Sequence, residues 1–106
     1  MLVRIVKMEF QQAKVNTFLD LFYSTRDKIA NFDGCTSLEL FNSIDAENIL
    51  FTYSTWESQQ HLENYRNSDL FKQVWVKTKE MFCNKPEAWS LTQLGIKNEK
   101  TRYNLL

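Results

Sequence analysis

The stretch of sequence that decides the fold runs from residue 35 to residue 57 and reads CTSLELFNSIDAENILFTYSTWE. Apolar side chains alternate with polar ones towards both ends of it, at Leu38, Leu40, Ile49, Phe51 and Tyr53. This period of two residues predicts strands over 35–43 and 48–55. The polar residues between them match the length of a hairpin loop, so the two strands are expected to be antiparallel neighbours.

A strand and a long helix are predicted before this hairpin. Alternation of apolar and polar residues predicts the first strand over 2–10. Its mostly apolar face carries Leu2, Arg4, Val6, Met8 and Phe10. From about Ala13 the apolar spacing changes to three and four residues, which predicts a helix. That helix is expected to end near Asn31, since Gly34 can adopt the left-handed conformation that closes a helix.

Two helices and a fourth strand are predicted after the hairpin. Ser54 opens a capping-box pattern, with Thr55 as the alternative cap, and this pattern predicts a short helix over 57–66. Ser68 is a suitable N-cap for the next helix, and residues 88–94 have the pattern of a strand. The apolar face of that next helix carries Leu70, Phe71, Val74, Trp75, Thr78, Met81 and Phe82.

The order strand, helix, strand, strand, helix, strand predicts an α+β domain of the ferredoxin-like kind over residues 1–94. This βαββαβ chain would form a four-stranded antiparallel sheet with its helices on one face. Residues 95–106 would form a C-terminal tail that is either disordered or packed on a partner. The later strands carry apolar residues on both sides of the pleat, and one layer of helices buries only one side. We therefore predict a homodimer in which two sheets stack face to face.

Composition and charge exclude several classes of function. Thirteen basic and thirteen acidic residues cancel, so no net positive field attracts nucleic acid. Residues 2–10 are too short and too charged for a signal-peptide core, and no apolar run is long enough to span a membrane. These features predict a cytoplasmic protein without a membrane partner. Cys35 and Cys83 are interpreted as free thiols, with a disulfide as the alternative, and a single His offers no metal site.

The sequence at the end of the hairpin resembles one protein family. The residues concerned are Asp33-Gly34, then Phe51-Thr52-Tyr53-Ser54-Thr55-Trp56-Glu57-Ser58, then Leu62, Tyr65, Ser68 and Phe71. Together they resemble the antibiotic biosynthesis monooxygenase family over roughly residues 1–94. The resemblance implies a dimeric α+β barrel with a cavity between helices and sheet in each subunit. It also implies an aromatic or quinol-like substrate, to which some members add dioxygen without metal or flavin.

The heme-degrading branch of that family provides a test of whether this chain has the residues that bind heme. In that branch a His near the start of the last helix ligates iron, a Trp in the short helix presses on the porphyrin, and an Asn lies on the first strand. Here Trp75 and Tyr65 occupy the first two positions, and the first strand has no Asn. An indole N–H has no lone pair for iron, so heme ligation in that mode is not predicted. From the resemblance we also expect no other cofactor.

Aromatic side chains supply most of the candidate site residues, with eight Phe, four Tyr and three Trp in the chain. The residues predicted to be catalytic are His61, Tyr65 and Trp75. The residues predicted to bind substrate are Phe22, Tyr23, Arg26, Tyr53 and Trp56. His61 lies one helical turn before Tyr65 and can share a proton with it, although an ordinary surface His is the simpler interpretation. The rings of Trp56, Tyr65 and Trp75 are equally explained as core residues. Tyr23, Tyr53 and Arg26 are also explained as half-exposed amphipathic side chains.

Three functions stay open from the sequence. The first is a cofactor-independent monooxygenase acting on a small aromatic or quinol, whose anion is stabilised by hydrogen-bond donors in a water-excluding cavity. The second is a dimeric binding or stress-response module that holds a small apolar molecule without turnover. The third is a fold kept for association. A cavity of several hundred Å³ with convergent polar groups would favour the first function, and a filled core would favour the third.

Overall fold

The computed structural model describes residues 1–94, and the predicted C-terminal tail lies outside the described residues. The described strands and helices are, in chain order, β1 (Leu2–Glu9), α1 (Val15–Ala30), β2 (Cys35–Asn42), β3 (Ile49–Trp56), α2 (Gln59–Arg66), α3 (Asp69–Lys79) and β4 (Glu87–Thr92). One 3-10 turn, Gln12–Lys14, precedes α1. The predicted ferredoxin-like α+β fold is confirmed, with its second helical segment divided into α2 and α3.

The strands form one sheet in the order β2-β3-β1-β4, and every neighbouring pair is antiparallel. Arg4 of β1 lies opposite Ser54 of β3 and Ser90 of β4, and the next residue, Ile5, lies opposite Tyr53. Successive side chains of a strand point to opposite faces. Arg4 and the residues opposite it therefore lie on one side of the sheet, and Ile5 and the residue opposite it lie on the other. The face that carries Arg4 is the inner face, towards the helices, and the face that carries Ile5 is the outer face.

The core lies between the inner face and the helices. Its buried members are Met8, Phe10, Phe18, Phe22, Ile29, Leu38 and Leu50. Phe10 is fully buried, and its ring stacks on that of Phe18 with the centroids 4.4 Å apart. Burying one large apolar side chain stabilises a fold by about 1.5–3 kcal/mol. This contact therefore anchors α1 on the chain that leaves β1.

The N-cap predicted for α2 is wrong, because neither Ser54 nor Thr55 caps this helix. The strand β3 continues to Trp56, so both residues have extended backbone and belong to the sheet. Ser58 is the cap, and its hydroxyl accepts a hydrogen bond from the backbone N–H of His61 at 3.2 Å. The hydroxyl of Ser54 instead accepts the indole N–H of Trp56 at 3.0 Å.

The predicted apolar face of the next helix is correct only up to Thr78. The helix α3 ends at Lys79, so Met81 and Phe82 lie beyond it. They pair with the chain that follows β1: the backbone N–H of Gln11 donates to the Met81 carbonyl at 2.9 Å, and Phe82 forms an isolated bridge with Phe10. Hydrogen bonding to a neighbouring segment thus replaces the last predicted helical turn.

Gly34 has the left-handed conformation expected of it, with φ of 89°, but in the turn into β2 and not at the helix end. The helix α1 ends at Ala30, and Asn31 is its C-cap. A side-chain carbon on Gly34 would collide with the ring of His61, so the close approach also requires glycine. This position therefore fixes how α2 meets the start of β2.

The outer face of the sheet is largely apolar and has no covering layer among the described residues. Its apolar members are Val3, Ile5, Phe41, Ile49, Phe51, Tyr53, Trp89 and Leu91. Phe41, Trp89 and Leu91 are 51%, 42% and 47% exposed, far more than the core residues. The prediction that the strands carry apolar residues on both sides of the pleat therefore agrees with the structure.

Two further expectations bear on the chain as a whole. Across residues 1–94, the helices are all too short or too polar to cross a lipid bilayer. The structure gives Cys35 and Cys83 as free thiols, which favours the first of the two interpretations of these residues.

Candidate functional site

A cavity of about 290 Å³ lies between the inner face of the sheet and the helices. One end of it is closed by buried apolar side chains, contributed by Met8, Phe18, Phe22, Ile29, Leu38 and Leu62. The opposite end reaches β4 and is lined by the exposed residues Arg66, Glu87 and Ala88. The cavity therefore runs along the inner face of the sheet, from a closed apolar end at β2 to an open end at β4.

Six of the lining residues are aromatic and form what we call the aromatic wall: Phe18, Phe22, Trp56, Tyr65, Phe71 and Trp75. Trp56 is only 1% exposed, and its ring stacks on Tyr65 with the centroids 5.2 Å apart and the planes 26° apart. Tyr65 meets the edge of Phe71 at 5.2 Å, and Phe71 stacks on Trp75 at 5.8 Å. These contacts fix each ring against the next, so the wall offers preformed flat surfaces to a ligand ring.

The polar tips of the aromatic wall differ in what they can offer. The indole N–H of Trp56 is already engaged with the Ser54 hydroxyl, so Trp56 contributes its ring and no free donor. Burial, and secondarily the Cys35 thiol, raise the pKa of the Tyr65 hydroxyl. Tyr65 therefore stays protonated at neutral pH and is available as a hydrogen-bond donor.

Two guanidinium groups in the cavity lining were missed by the sequence-based prediction. Arg4 of β1 donates from Nη1 to the Ser90 hydroxyl at 2.9 Å, and Nη1 of Arg66 lies 3.4 Å from Oε2 of Glu63. Burial and the charge of Arg66 lower the pKa of Arg4, and Glu63 raises it, but a guanidinium remains charged in proteins. The signal was present in the sequence, because Arg4 is the one charged residue on the apolar face of the first strand.

His61 does not line the cavity, whereas Tyr65 does. The Nδ1 atom of His61 lies 2.7 Å from the Ser58 hydroxyl, and its Nε2 atom lies 3.9 Å from Oδ2 of Asp33. The imidazole thus packs at the turn around Gly34 and not against the cavity. The structure therefore does not bring the predicted pair together at one cavity surface.

The five predicted substrate-binding residues are divided by the structure. Phe22 and Trp56 belong to the aromatic wall. Tyr53 lies on the outer face, and Tyr23 is 67% exposed at the surface of α1. Arg26 donates from Nη2 to the Leu38 carbonyl at 3.0 Å and so ties α1 to β2. With Tyr65 and Trp75, half of the eight predicted site residues line one cavity.

The described residues do not offer a metal site of the usual kind. Within residues 1–94, no group of three or more His, Cys, Asp and Glu side chains is close enough to hold an ion. Trp75 lines the cavity, and its indole N–H provides no lone pair to a metal ion. The chemistry that these residues can support is aromatic stacking, hydrogen bonding from Tyr65, and attraction of negative charge by Arg4 and Arg66.

Comparison with known proteins gives a family match over most of the chain. Residues 1–76 match the family model described as antibiotic biosynthesis monooxygenase. Among curated protein sequences, none matches this chain.

Solved structures match over nearly the whole described part of the chain. A conserved protein of Methanosarcina mazei Go1 is 21% identical, with 89% of this chain and 94% of that one covered and a TM-score of 0.82. A protein of Caulobacter crescentus CB15 proposed to be an antibiotic biosynthesis monooxygenase is 21% identical, with coverages of 89% and 90% and a TM-score of 0.82. One of Nitrosomonas europaea, with the same proposed assignment, is 12% identical, with coverages of 90% and 100% and a TM-score of 0.83. At such identities these likenesses show a common fold and nothing finer.

Proposed function

The chain belongs to the antibiotic biosynthesis monooxygenase family, and from this premise we propose that it oxidises a small hydroxyaromatic or quinol with dioxygen inside the cavity. The observation that carries the proposal is the aromatic wall around a space of about 290 Å³. At roughly 30 Å³ for each water-sized group, that space holds about ten of them, which suits a molecule of one or two rings. The volume is near the lower end of small-molecule sites, which start at roughly 300 Å³.

The reaction balances without an external reductant. A phenol first loses its hydroxyl proton, the anion gives one electron to dioxygen, and the two radicals combine at the ring carbon para to the oxygen. The peroxide anion that results takes up one proton, which replaces the one lost from the phenol, and becomes a hydroperoxide. Loss of water from that hydroperoxide, with the ring proton on the same carbon, leaves a carbonyl. One oxygen atom becomes the carbonyl oxygen on the ring carbon and the other leaves as water, so the phenol has become a quinone.

The residues of this chain would serve this reaction by position and charge. The aromatic wall would hold the substrate ring and exclude water, which strengthens every polar interaction in the cavity. Tyr65, kept protonated by its burial, would donate a hydrogen bond to the substrate oxyanion or to the developing peroxide. Arg4 and Arg66 would favour the anionic form of the substrate from the open end.

Binding without turnover is the second candidate, and one observation favours it. A monooxygenase of this kind needs a group that accepts the substrate proton. Among residues 1–94, Glu87 is the only acidic residue of the lining, and its carboxylate lies 3.8 Å from the ammonium of Lys7 on the outer face of the sheet, away from the cavity. His61, the other candidate base, packs away from the cavity. The substrate's own acidity would then have to supply the anion.

Oxygen uptake separates these two functions. We expect a panel of dihydroxyaromatics with a free ring carbon para to a hydroxyl to include at least one that the wild-type protein oxidises, with one dioxygen consumed and one oxygen atom incorporated for each quinone formed and no hydrogen peroxide released. Tyr65→Phe is expected to lower the rate by roughly 10- to 100-fold, because one hydrogen-bond donor to the anion is lost. The matched control is Tyr23→Phe, the same change at an exposed position, which should leave the rate unaltered. Thermal stabilisation by panel members without any oxygen uptake would support the binding module and refute the monooxygenase.

We also propose that the protein is a homodimer joined through the outer face. Three strands of eight residues and one of six, about 4.8 Å apart and rising about 3.3 Å for each residue, cover on the order of 500 Å² in projection. The accessible surface of a corrugated face is larger than its projection, so it approaches the ~800 Å² per partner of a standard interface. The exposed rings of Phe41 and Trp89 are the kind of residue that such an interface buries.

A further inference from the structure

Arg4 places a positive charge on the inner face of β1, and this charge has no salt-bridge partner among residues 1–94. Leu2, Val6 and Met8 share this face with Arg4, whose side chain enters the cavity lining. Placing a guanidinium among apolar groups costs free energy unless it is paired. Within residues 1–94, no carboxylate lies within 4 Å of Arg4, and its hydrogen-bond partner there is the neutral hydroxyl of Ser90 at 2.9 Å.

The groups around Arg4 leave a positive charge at the open end of the cavity. Arg66 is paired with Glu63 at 3.4 Å, and the nearby Glu87 is paired with Lys7 at 3.8 Å on the outer face of the sheet. These two pairs are neutral in sum, so the charge of Arg4 remains. A guanidinium has five N–H donors, and the bond to Ser90 uses one, so a planar two-oxygen acceptor can still be bound by two parallel hydrogen bonds.

We propose that the ligand of this cavity is a hydroxyaromatic carboxylic acid, whose carboxylate is bound by Arg4 with help from Arg66. Its ring would then lie along the aromatic wall towards the closed end, which is lined by apolar residues such as Phe22 and Leu38. The oxidation of such an acid rests on the proposed function, but its preferential binding does not. Arg4 is in this assignment a specificity-determining residue.

The test compares two probes that differ only in the carboxylate, 1-hydroxy-2-naphthoic acid and 1-naphthol, titrated by calorimetry at low salt. The wild-type protein should bind the acid at least about tenfold more tightly, since hydrogen bonds to a charged group are worth more than neutral ones. Arg4→Met keeps an unbranched side chain that covers the same apolar neighbours, but it is shorter by the guanidinium group and has no charge. It should abolish the preference for the acid while the affinity for the naphthol stays within about twofold, which also shows that the variant is folded.

Two further variants keep the test decisive. Arg4→Lys retains a charge but not the two-pronged geometry, so it should retain only part of the preference, and it replaces Arg4→Met should that variant not fold. Arg66→Met should reduce the preference less than Arg4→Met, because Arg66 already has a partner.

Three outcomes overturn the assignment: equal affinity of the wild-type protein for both probes, no binding of the acid, or equal weakening of both probes by Arg4→Met. Preferential binding without oxygen uptake would instead refute the monooxygenase and leave the role of Arg4 intact.

Discussion

Val74→Trp is expected to weaken the binding of a one- or two-ring hydroxyaromatic by roughly 100-fold or more, which is about 2.7 kcal/mol. Val74 is on α3 and lines the cavity, and the next residue in the sequence, Trp75, belongs to the aromatic wall. An indole at position 74 is about as large as the ligand that a cavity of 290 Å³ can hold, so it would occupy the space that the ligand needs. Oxygen uptake should be lost together with binding, because the reaction needs the ring inside the cavity.

The matched control is Val76→Trp, the same change two residues along the same helix. Val76 is 52% exposed and does not line the cavity, so this variant should bind as the wild type does. Both variants are compared by the same ligand titration and by urea unfolding, which detects loss of the fold. If Val74→Trp remains folded and still binds normally, the ligand occupies some other part of the molecule.

Ile5→Lys is expected to convert the proposed dimer to monomers at micromolar concentration, with the dissociation constant raised by roughly 1000-fold or more. Ile5 is in the central strand β1, on the outer face, beside Tyr53 of β3 and Trp89 of β4. In a two-fold dimer each substitution occurs on both sides of the interface. Two ammonium groups would then be buried without partners, which costs several kcal/mol.

The control for this change is Ile44→Lys, because Ile44 is 98% exposed in the connection between β2 and β3. Light scattering over a range of concentrations should give twice the mass of one chain for the wild type and for this control. Ile5→Lys should give the mass of one chain, with circular dichroism showing that the sheet and helices are retained. A wild-type protein that is monomeric at every concentration would refute the dimer.

The fold could be predicted from the sequence because its elements are marked by local periodicity. The alternation in residues 35–57 identified the central hairpin, and the change of period at Ala13 identified α1. The errors fell at element ends, where long-range contacts decide. Ser54 is of a residue type that often caps helices, but here it pairs with neighbouring strands as part of β3. Phe82 forms a bridge with Phe10 in the chain that follows β1 and so does not continue α3.

The candidate site was predicted only where residue type and burial coincide. Trp56, Tyr65 and Trp75 are large rings in strongly patterned segments, so their place beside a cavity followed from the fold. His61 was chosen for its chemistry, but the orientation of its ring depends on the absence of a side chain at Gly34, which no pattern in α2 reveals. The sequence marks Arg4 as the one charged residue on the apolar face of the first strand, but its position opposite Ser90 follows only from the register of β1 with β4 in the folded sheet.

The most direct measurement is a nuclear magnetic resonance titration with 1-hydroxy-2-naphthoic acid, following the indole N–H signals of the three tryptophans. Trp56 and Trp75 belong to the aromatic wall, whereas Trp89 lies on the outer face and is an internal control. A ligand ring in the cavity changes the local magnetic field at Trp56 and Trp75, so their signals should move in proportion to occupancy while that of Trp89 stays in place. Movement of Trp89 alone, or of none of the three at saturating acid, would contradict a cavity that binds a hydroxyaromatic.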